Sequence, residues 1–271
     1  MSDPNDSPAA PTQAGSQTLL RGLDVLESVA DGPVSLADLS ARLGLNRSTT
    51  HRLANNLVNR RYLTFVPRLG YRFGPKLLEL GFLAQQQTDL IQIARPHLES
   101  LAASTDDTVH LGILEDGRAL YLDKIPGRRR VEISSRVGDR QPLTSTGLGK
   151  ALLLDSDPRD WQRMFEEDGP ATPRGLSFDV WRDRMTGYVA SGCAFDLEEN
   201  QDQIRCVAAP VRDASGDIVA ALSVSSAAQY IDDGRMAALC AEVLAATGAI
   251  SSDLGHTPDP VHGARKPRVR R

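Results

Sequence analysis

Apolar residues recur with helical spacing from about Thr18 onwards. Leu19, Leu23, Leu26 and Ala30 fall on one face and predict a first helix, which Asp31-Gly32-Pro33 ends. Residues 1–16 have no such periodicity and are rich in Pro, Ala and Ser, so we expect them to form a disordered tail.

A second and a third helix follow with helix-turn-helix spacing. Ser35 can cap a helix of about eight residues, because Asp38 follows three positions later as in a capping box. Leu36, Leu39 and Leu43 would then point inward. Gly44 supplies a tight turn, and a third helix begins at Asn46 or Ser48 and runs to about Arg60. Two helices joined by a short glycine-containing turn are typical of DNA-binding domains.

The third helix has the composition of a recognition helix. Its apolar residues form a narrow stripe, and its other side chains are donors, acceptors or cations with no carboxylate to repel phosphate. Arginine pairs with guanine, asparagine with adenine, and serine or threonine with bases or phosphates. A plain surface helix is the alternative. The predicted DNA-contacting residues are Asn46, Arg47, Ser48, Thr49, Thr50, His51, Arg52 and Asn55.

Two alternating segments, 62–66 and 71–73, predict a β-hairpin behind this helix. Such a hairpin would be a wing, and we expect its Arg68 and Arg72 to reach phosphate or the minor groove. A hairpin that only closes the small domain is the alternative. Pro75 then begins a helix, 75–88, which we expect to link the winged helix-turn-helix domain, 17–74, to the rest of the chain. Its apolar face is expected to pack on a partner subunit, since operator-binding modules generally act as dimers.

From Asp89 the pattern changes to mixed helices and strands. Because successive strands are joined by hairpin-like turns, an antiparallel α+β domain over 89–255 is favoured over a parallel doubly wound sheet. The predicted helices are 89–104, 147–154, 158–167, 178–191 and 233–252, and the predicted strands are 109–114, 120–125, 131–136, 194–197, 205–211 and 218–225. Residues 256–271 are basic, and we expect them to form a second disordered tail.

The charge of the chain is divided unevenly. The length of 271 residues favours two domains, so the charge can be compared between segments. Residues 17–75 contain eight arginines and four acidic residues, whereas residues 76–255 contain 18 basic and 28 acidic residues. A basic segment attached to an acidic body is the expected footprint of a DNA-binding module. Uneven surface charge without a partner is the alternative.

Several function classes are not favoured by the sequence. No apolar run reaches the roughly 20 residues of a membrane-spanning helix, and the N-terminus does not resemble a signal peptide. Three cysteines without a C-x-x-C pair indicate neither a disulfide framework nor a zinc site. The chain lacks G-x-S-x-G, a phosphate-binding loop and H-E-x-x-H. We therefore expect a cytoplasmic protein without a cofactor or membrane partner, and not an enzyme with an appended helical domain.

Motifs spread over residues 18 to about 254 resemble the IclR family of bacterial transcriptional regulators. The resemblance rests on their order as well as on their sequence. They are Leu36-Ala37-Asp38-Leu39, the segment from Arg47 to Leu53, the connector from Gly74 to Gly81, Ala94 to Leu98, Ser135 to Gly138, Pro142-Leu143, Gly147 to Leu153, Asp196 to Asn200, Arg205 to Val211 and Ala221 to Ser225.

The resemblance implies a C-terminal GAF-like effector-binding domain, assembly as a homodimer or homotetramer, and control by a small metabolite. In that family, the positions that match Gly147, Leu148, Asp196, Cys206, Ser223 and Ser225 line the effector pocket. Thr146, Ile204 and Arg130 are added as candidates. The alternative for the basic run Arg128–Arg130 is an ordinary solvated loop that does not contact the ligand. Members that respond to sugar acids and related carboxylates resemble this chain at 109–112 and 145–150.

The residues themselves point to the same region. Ser145-Thr146-Gly147 precedes a helix, and the amide groups of a helix N-terminus favour an anion. Strand alternation places Ser223 and Ser225 together on one face, with ordinary solvent-facing serines as the alternative. We therefore predict a repressor that binds double-stranded operator DNA and responds to a small carboxylate. The remaining alternative is a DNA-binding protein whose C-terminal domain serves assembly only.

Overall fold

The computed structural model describes residues 14–129, 133–169, 173 and 175–257. Contacts divide the chain into two compact units, Met1–Thr88 and Asp89–Arg271. The first unit contains helices α1 (Ala14–Glu27), α2 (Leu36–Leu43) and α3 (Arg47–Asn59), a hairpin of β1 (Leu63–Val66) and β2 (Gly70–Phe73), and α4 (Pro75–Gln87). Its order of elements is that of a winged helix-turn-helix domain.

Local capping explains where the helices of the first unit begin. The Ser35 hydroxyl accepts a hydrogen bond from Asp38 N at 3.2 Å, and the Asn46 side chain accepts one from Thr49 N at 2.8 Å. Gly44 ends α2 with φ of 60°, in the left-handed region that glycine adopts most easily. The predicted helix starts and the turn are therefore confirmed.

The first helix corrects two predictions. It begins at Ala14, so the predicted disordered tail extends too far. Its buried side chain is Val25, and Val29 is buried in the turn that follows, whereas Leu19 and Leu23 are exposed. The prediction was wrong for these two leucines because α1 packs on the core of the first unit through the side that carries Val25 and Leu26. Residues 1–13 lie outside the described residues.

The second unit is a six-stranded sheet with helices on both faces. Its strands are β3 (Thr108–Glu115), β4 (Arg118–Ile125), β5 (Arg140–Gln141), β6 (Ala194–Leu197), β7 (Ile204–Arg212) and β8 (Ile218–Ala227). Their order in the sheet is β5-β4-β3-β8-β7-β6, and every neighbouring pair is antiparallel. The predicted antiparallel α+β architecture is confirmed.

Alternation along the strands creates two separate cores. One face packs against α5 (Leu90–Thr105) and α9 (Asp233–Asp253), with Leu111, Leu222 and Val224 among its buried residues. The other face packs against α6 (Gly147–Leu152), α7 (Pro158–Glu167) and α8 (Phe178–Ser191). The described residues that the sequence predicted for an effector pocket lie on the second face or on α6, which packs against it.

One predicted strand is absent from the part of the chain that the structure describes. Residues 133–136, the described portion of the predicted strand 131–136, are not in a strand, and the sheet edge is formed by the short β5 instead. The segment lies over the sheet because Lys124 Nζ donates to the carbonyl oxygens of Ile133 and Ser135, both at 2.7 Å. These bonds use the carbonyls that a strand would pair.

Helix α9 is, within the described residues, the one helix long and apolar enough to cross a membrane by length and composition. Met236, Leu239, Val243 and Ile250 on it are buried against the sheet in the same core as α5. This packing is that of a core helix. His256 and Thr257 follow it, and the rest of the predicted basic tail lies outside the described residues.

Candidate functional site

Helix α3 presents a polar surface above a small buried stripe. Leu53 and Ala54 pack into the core of the first unit, and the helix contains no acidic residue. Five of the predicted DNA-contacting residues are exposed and lie on this helix: Arg47, Ser48, His51, Arg52 and Asn55. His51 Nε2 and Asn55 Nδ2 lie 3.3 Å apart, one helical turn from each other.

Three other predicted residues of this helix have structural roles. Thr50 is fully buried, and its hydroxyl donates to the Asn46 carbonyl at 3.1 Å, so its prediction as a DNA contact is corrected. The side-chain oxygen of Asn46 is used as the helix cap, and Thr49 is half-buried. The sequence could not separate Thr50 from its neighbours because serine and threonine suit both bases and helix backbones.

The wing places two arginines on the surface of the first unit. Strands β1 and β2 pair antiparallel from Leu63↔Phe73 to Val66↔Gly70. Arg68 lies in the turn between them with φ of 69°, and Arg72 lies on β2; both are exposed. The predicted hairpin is confirmed.

Helices α1 and α4 leave large apolar side chains in solvent. Leu19, Leu20 and Leu23 are exposed on α1. No residue of α4 is buried, and four of its large apolar residues are exposed: Leu78, Leu80, Phe82 and Leu83. Contiguous exposed apolar residues of this kind are typical of protein interaction surfaces.

In the second unit, the predicted small residues meet on one face of the sheet. The register aligns Ser225 with Thr108 on β3 and with Cys206 on β7. It aligns Ser223 with His110 on β3 and with Ala208 on β7. All six of these residues are buried. The predicted Ile204, two positions before Cys206 on β7, is half-buried. The hydroxylated face is therefore interior and not a solvent face.

Helix α6 covers this face at close range. Thr146 caps the helix by accepting from Gly149 N at 3.0 Å. A Cβ at Gly147 would lie 2.9 Å from Cys206 Sγ and 3.3 Å from Asp196 N, closer than ordinary contacts allow. The Leu148 side chain lies against Gly112 on β3, 3.0 Å from the position of a Cβ there. The structure thus brings Gly147, Leu148, Asp196 and Cys206 together.

Asp196 lies next to a buried charged network that the sequence did not reveal. Its carboxylate accepts from Glu199 N at 2.8 Å, and burial raises the pKa of Asp196 to about 6. Lys150 is almost fully buried and donates to the Phe195 carbonyl at 2.8 Å and to Glu199, which also pairs with Arg184. Burial also raises the pKa of Cys206 to about 11, so this thiol is protonated at neutral pH.

Among the described residues, two buried side-chain atoms on the strands of this face have no hydrogen-bond partner. They are Ser223 Oγ and His110 Nδ1. The other ring nitrogen of His110, Nε2, lies 2.7 Å from Ser135 Oγ. Burial lowers the pKa of His110 to about 3, so its ring is neutral. The sequence did not single out His110; its position between Val109 and Leu111 on a strand is a signal that could have assigned it to the polar face, but only the sheet register puts it beside Ser223.

Three further observations concern Arg130, a cleft beside Ser225 and metal binding. Arg130 lies outside the described residues. A small cleft borders Ser225 and is lined also by Thr108, Gly127, Arg129 and Ile133. Across the described ranges, no group of three or more His, Cys, Asp or Glu residues could hold a metal ion.

Comparisons with known proteins match both units of this chain. A family model of the IclR helix-turn-helix domain matches residues 18–67, and a model of the C-terminal domain of the bacterial transcriptional regulator IclR matches residues 82–252. The DNA-binding transcriptional repressor YiaJ of Escherichia coli is 32% identical, and the alignment covers 90% of this chain and 90% of that protein. The acetate operon repressor of Salmonella typhimurium is 30% identical, with 92% of this chain and 93% of that protein covered.

Solved structures share the fold. The Agobacterium tumefaciens repressor BlcR superposes with a TM-score of 0.77 at 24% identity, covering 91% of this chain and 100% of that one. Pseudomonas aeruginosa HmgR superposes with a TM-score of 0.76 at 23% identity, covering 89% and 98% of the two chains.

Proposed function

This chain belongs to the IclR family of bacterial DNA-binding transcriptional regulators, and from that premise we propose that it is a repressor whose operator binding is switched by a small carboxylate. Its family consists of regulators and not enzymes. The expected place of action is the cytoplasm, where bacterial DNA lies.

The proposed DNA contact is made by α3 in the major groove, with the wing beside it. The observation that carries this assignment is the exposed, carboxylate-free surface of α3, on which Arg47 and Arg52 offer paired donors and Asn55 a donor and an acceptor for base edges. Arg68 and Arg72 on the wing would add phosphate or minor-groove contacts.

The DNA assignment is tested with a fragment that the wild-type protein selects from a random-sequence pool. We expect Arg47→Ala and Arg52→Ala each to weaken binding to that fragment by about tenfold or more, since a bidentate base contact contributes about 1–3 kcal/mol. Arg163→Ala, an exposed arginine on α7, is the matched control and should bind normally. Unchanged affinity in both α3 variants would refute the assignment of this helix.

The apolar residues left exposed on α1 and α4 support self-association of the first unit. A dimer would cover these leucines and Phe82, and two copies would present two recognition helices to a two-fold operator. We expect Leu78→Glu with Phe82→Glu to lower the oligomeric state in sedimentation velocity. A wild-type protein that sediments as a monomer would contradict the dimer.

The proposed effector site is the face of the sheet under α6. The observation that carries it is the buried Ser223 hydroxyl, which has no partner on a face of small residues that includes Cys206 and Ser225. Buried polar atoms in native proteins are nearly always paired, so an unpaired one indicates a missing partner. Thr146, Gly147 and Leu148 at the start of α6 would bring backbone amides to the same ligand.

Thermal unfolding against a panel of small carboxylates tests the effector site. A ligand at 100 times its Kd adds about 2.7 kcal/mol to the unfolding free energy. We expect a stabilising acid to be found and its effect to be lost in Ser223→Ala, with DNA binding retained. If no acid shifts the midpoint, the C-terminal unit serves assembly only or binds a different class of ligand.

A further inference from the structure

Two of the three cysteines meet in the core between the sheet and α9. Cys193, directly before β6, is fully buried there, and the half-buried Cys240 of α9 packs against the same cluster. Both are free thiols, and a side-chain hydrogen bond joins them. The two residues are far apart in the sequence, so only the packing of α9 on the sheet brings the sulfurs into contact.

The backbone around both residues holds this contact in place. Gly192 ends α8 with φ of 72°. A Cβ at Gly192 would lie 3.6 Å from Cδ2 of Leu244, which follows Cys240 by one turn on the same side of α9. The Ser191 hydroxyl donates to the Cys193 carbonyl at 3.1 Å and accepts from Cys193 N at 3.3 Å. The turn before β6 is therefore fixed along the side of α9 that carries Cys240.

The third cysteine, Cys206, is separated from this pair by the sheet. It is buried on the face that α6 covers, whereas Cys193 is buried on the face that packs against α5 and α9. A bond between Cys206 and either thiol of the pair would have to pass through the strands. The contact of Cys193 with Cys240 is therefore the one intramolecular disulfide that this fold permits.

The two sulfurs of the pair differ in access and in protonation. Cys193 has no exposed surface, whereas Cys240 is partly exposed on α9. Burial, and secondarily the hydrogen bond with Cys240, raises the pKa of the Cys193 thiol, so this sulfur is protonated at neutral pH. An oxidant reacts with an accessible thiolate and not with a buried thiol. Cys240 is therefore the sulfur that a small oxidant meets first.

We propose that Cys193 and Cys240 are a redox-active pair that a peroxide converts into a reversible intramolecular disulfide. The Cys240 thiolate attacks one peroxide oxygen, the O–O bond breaks, and a sulfenic acid forms on Cys240 while the other oxygen leaves as hydroxide. This hydroxide takes up the proton that the Cys240 thiol has lost and becomes water.

The second step uses the buried partner. The Cys193 sulfur attacks the sulfenic sulfur, the S–O bond breaks, and the Cys193 thiol proton leaves with the oxygen as a second water. The two thiols are oxidised by two electrons, and one peroxide is reduced to two waters. Two molecules of a small thiol such as glutathione would reduce the disulfide again. Intracellular disulfides are usually transient bonds of this kind.

The disulfide would tie the beginning of β6 to α9. Asp196 lies three positions after Cys193, and its strand also forms part of the proposed effector site. Because the bond closes the chain between the two cysteines into a loop, it restricts the unfolded state. We expect the oxidised protein to unfold at a thermal midpoint roughly 5–10 °C higher than the reduced protein. The bond itself needs neither operator DNA nor an effector.

The experiment treats the reduced full-length protein with hydrogen peroxide, blocks the remaining thiols and maps the bond by mass spectrometry without reduction. Trypsin places the three cysteines on three different peptides, 185–205, 206–212 and 236–265. We expect peptide 185–205 to be linked to peptide 236–265, and dithiothreitol to release the two. Peptide 206–212 should keep its free thiol. In a series of glutathione buffers, the link should disappear as the reduced share rises.

Three variants assign the two steps. Cys240→Ser should prevent the link, whereas the matched control Cys206→Ser should form it as the wild type does. Cys193→Ala should leave a sulfenic acid on Cys240 that dimedone traps, because the thiol that resolves it is gone. If Cys193→Ala does not fold, the comparison of Cys240→Ser with Cys206→Ser still decides, since Cys240 is only half-buried.

Four results would overturn this assignment. Oxidation of Cys240 beyond the sulfenic acid in wild-type protein, with Cys193 left free, would show that the two sulfurs do not meet. A link that includes Cys206, or one that joins two chains, would show that another contact reacts. A link that persists in the most reducing glutathione buffer would be a structural bond and not a reversible one. An unchanged or lower midpoint after oxidation would show that the bond strains the packing of α9.

Discussion

Replacement of Gly147 by alanine tests the contact between α6 and the sheet. A Cβ at this position would lie 2.9 Å from Cys206 Sγ and 3.4 Å from Cys206 Cβ. Favourable contacts between heavy atoms lie at about 3.5–4.0 Å, so α6 or Cys206 must move by more than half an ångström. Overpacking of this kind costs about 1–3 kcal/mol. We therefore expect Gly147→Ala to lower the unfolding free energy of the second unit by that amount and to abolish effector binding.

The same structure predicts that the loss can be rescued. Cys206→Ala removes Sγ, the nearest atom, and alone costs about 1 kcal/mol through the small cavity that it leaves. In the double variant the new methyl group fills part of that cavity. The two changes should thus be non-additive, with a coupling of about 1–2 kcal/mol in favour of the double variant.

Urea unfolding followed by tryptophan fluorescence measures these values, because the two tryptophans of the chain, Trp161 and Trp181, both report on the second unit. Gly187→Ala is the matched control: Gly187 lies within α8 with no atom within 4 Å of a new Cβ. It should stabilise the unit by about 0.5–1 kcal/mol. Strictly additive losses at Gly147 and Cys206 would show that α6 does not pack as described.

Two further predictions concern the buried charges near α6. Lys150→Met should lower the unfolding free energy by about 3 kcal/mol, since it leaves the buried Glu199 with only Arg184 as its ion-pair partner. The control Arg163→Met, at an exposed ion pair, should lower it by under about 1 kcal/mol. Equal losses for the two variants in urea unfolding would contradict this. The raised pKa of Asp196 means that the folded state holds its proton more tightly than the unfolded state. Its contribution to stability is therefore present below pH 3.8 and is lost as pH rises through about 6, so wild type should lose about 2 kcal/mol relative to Asp196→Asn between pH 4 and 7. A pH-independent difference between the two proteins would refute this assignment.

Sequence alone determined the features that local interactions fix. A helix start depends on a side chain bonding an amide three residues away, so Ser35 and Asn46 could be identified as caps from the chain. A strand's two faces follow from the period of two, so Leu222 and Ser223 could be assigned to opposite sides. The order of helices and strands was predictable for the same reason except at the sheet edge, where β5 stands instead of the predicted strand 131–136.

Tertiary structure decided which of several equivalent local choices is used. Helix α1 has two apolar sides, and contact with α2 and α3 buried Val25, with Val29 in the turn after the helix, instead of Leu19 and Leu23. Thr50 is buried although Ser48, His51 and Arg52 near it on α3 are exposed. Lys150 and Glu199 pair across 49 residues, and His110 meets Ser223 across 113 residues only through the sheet register. Such pairs depend on how distant segments pack, which no local pattern encodes, and they form the interior of the proposed effector site.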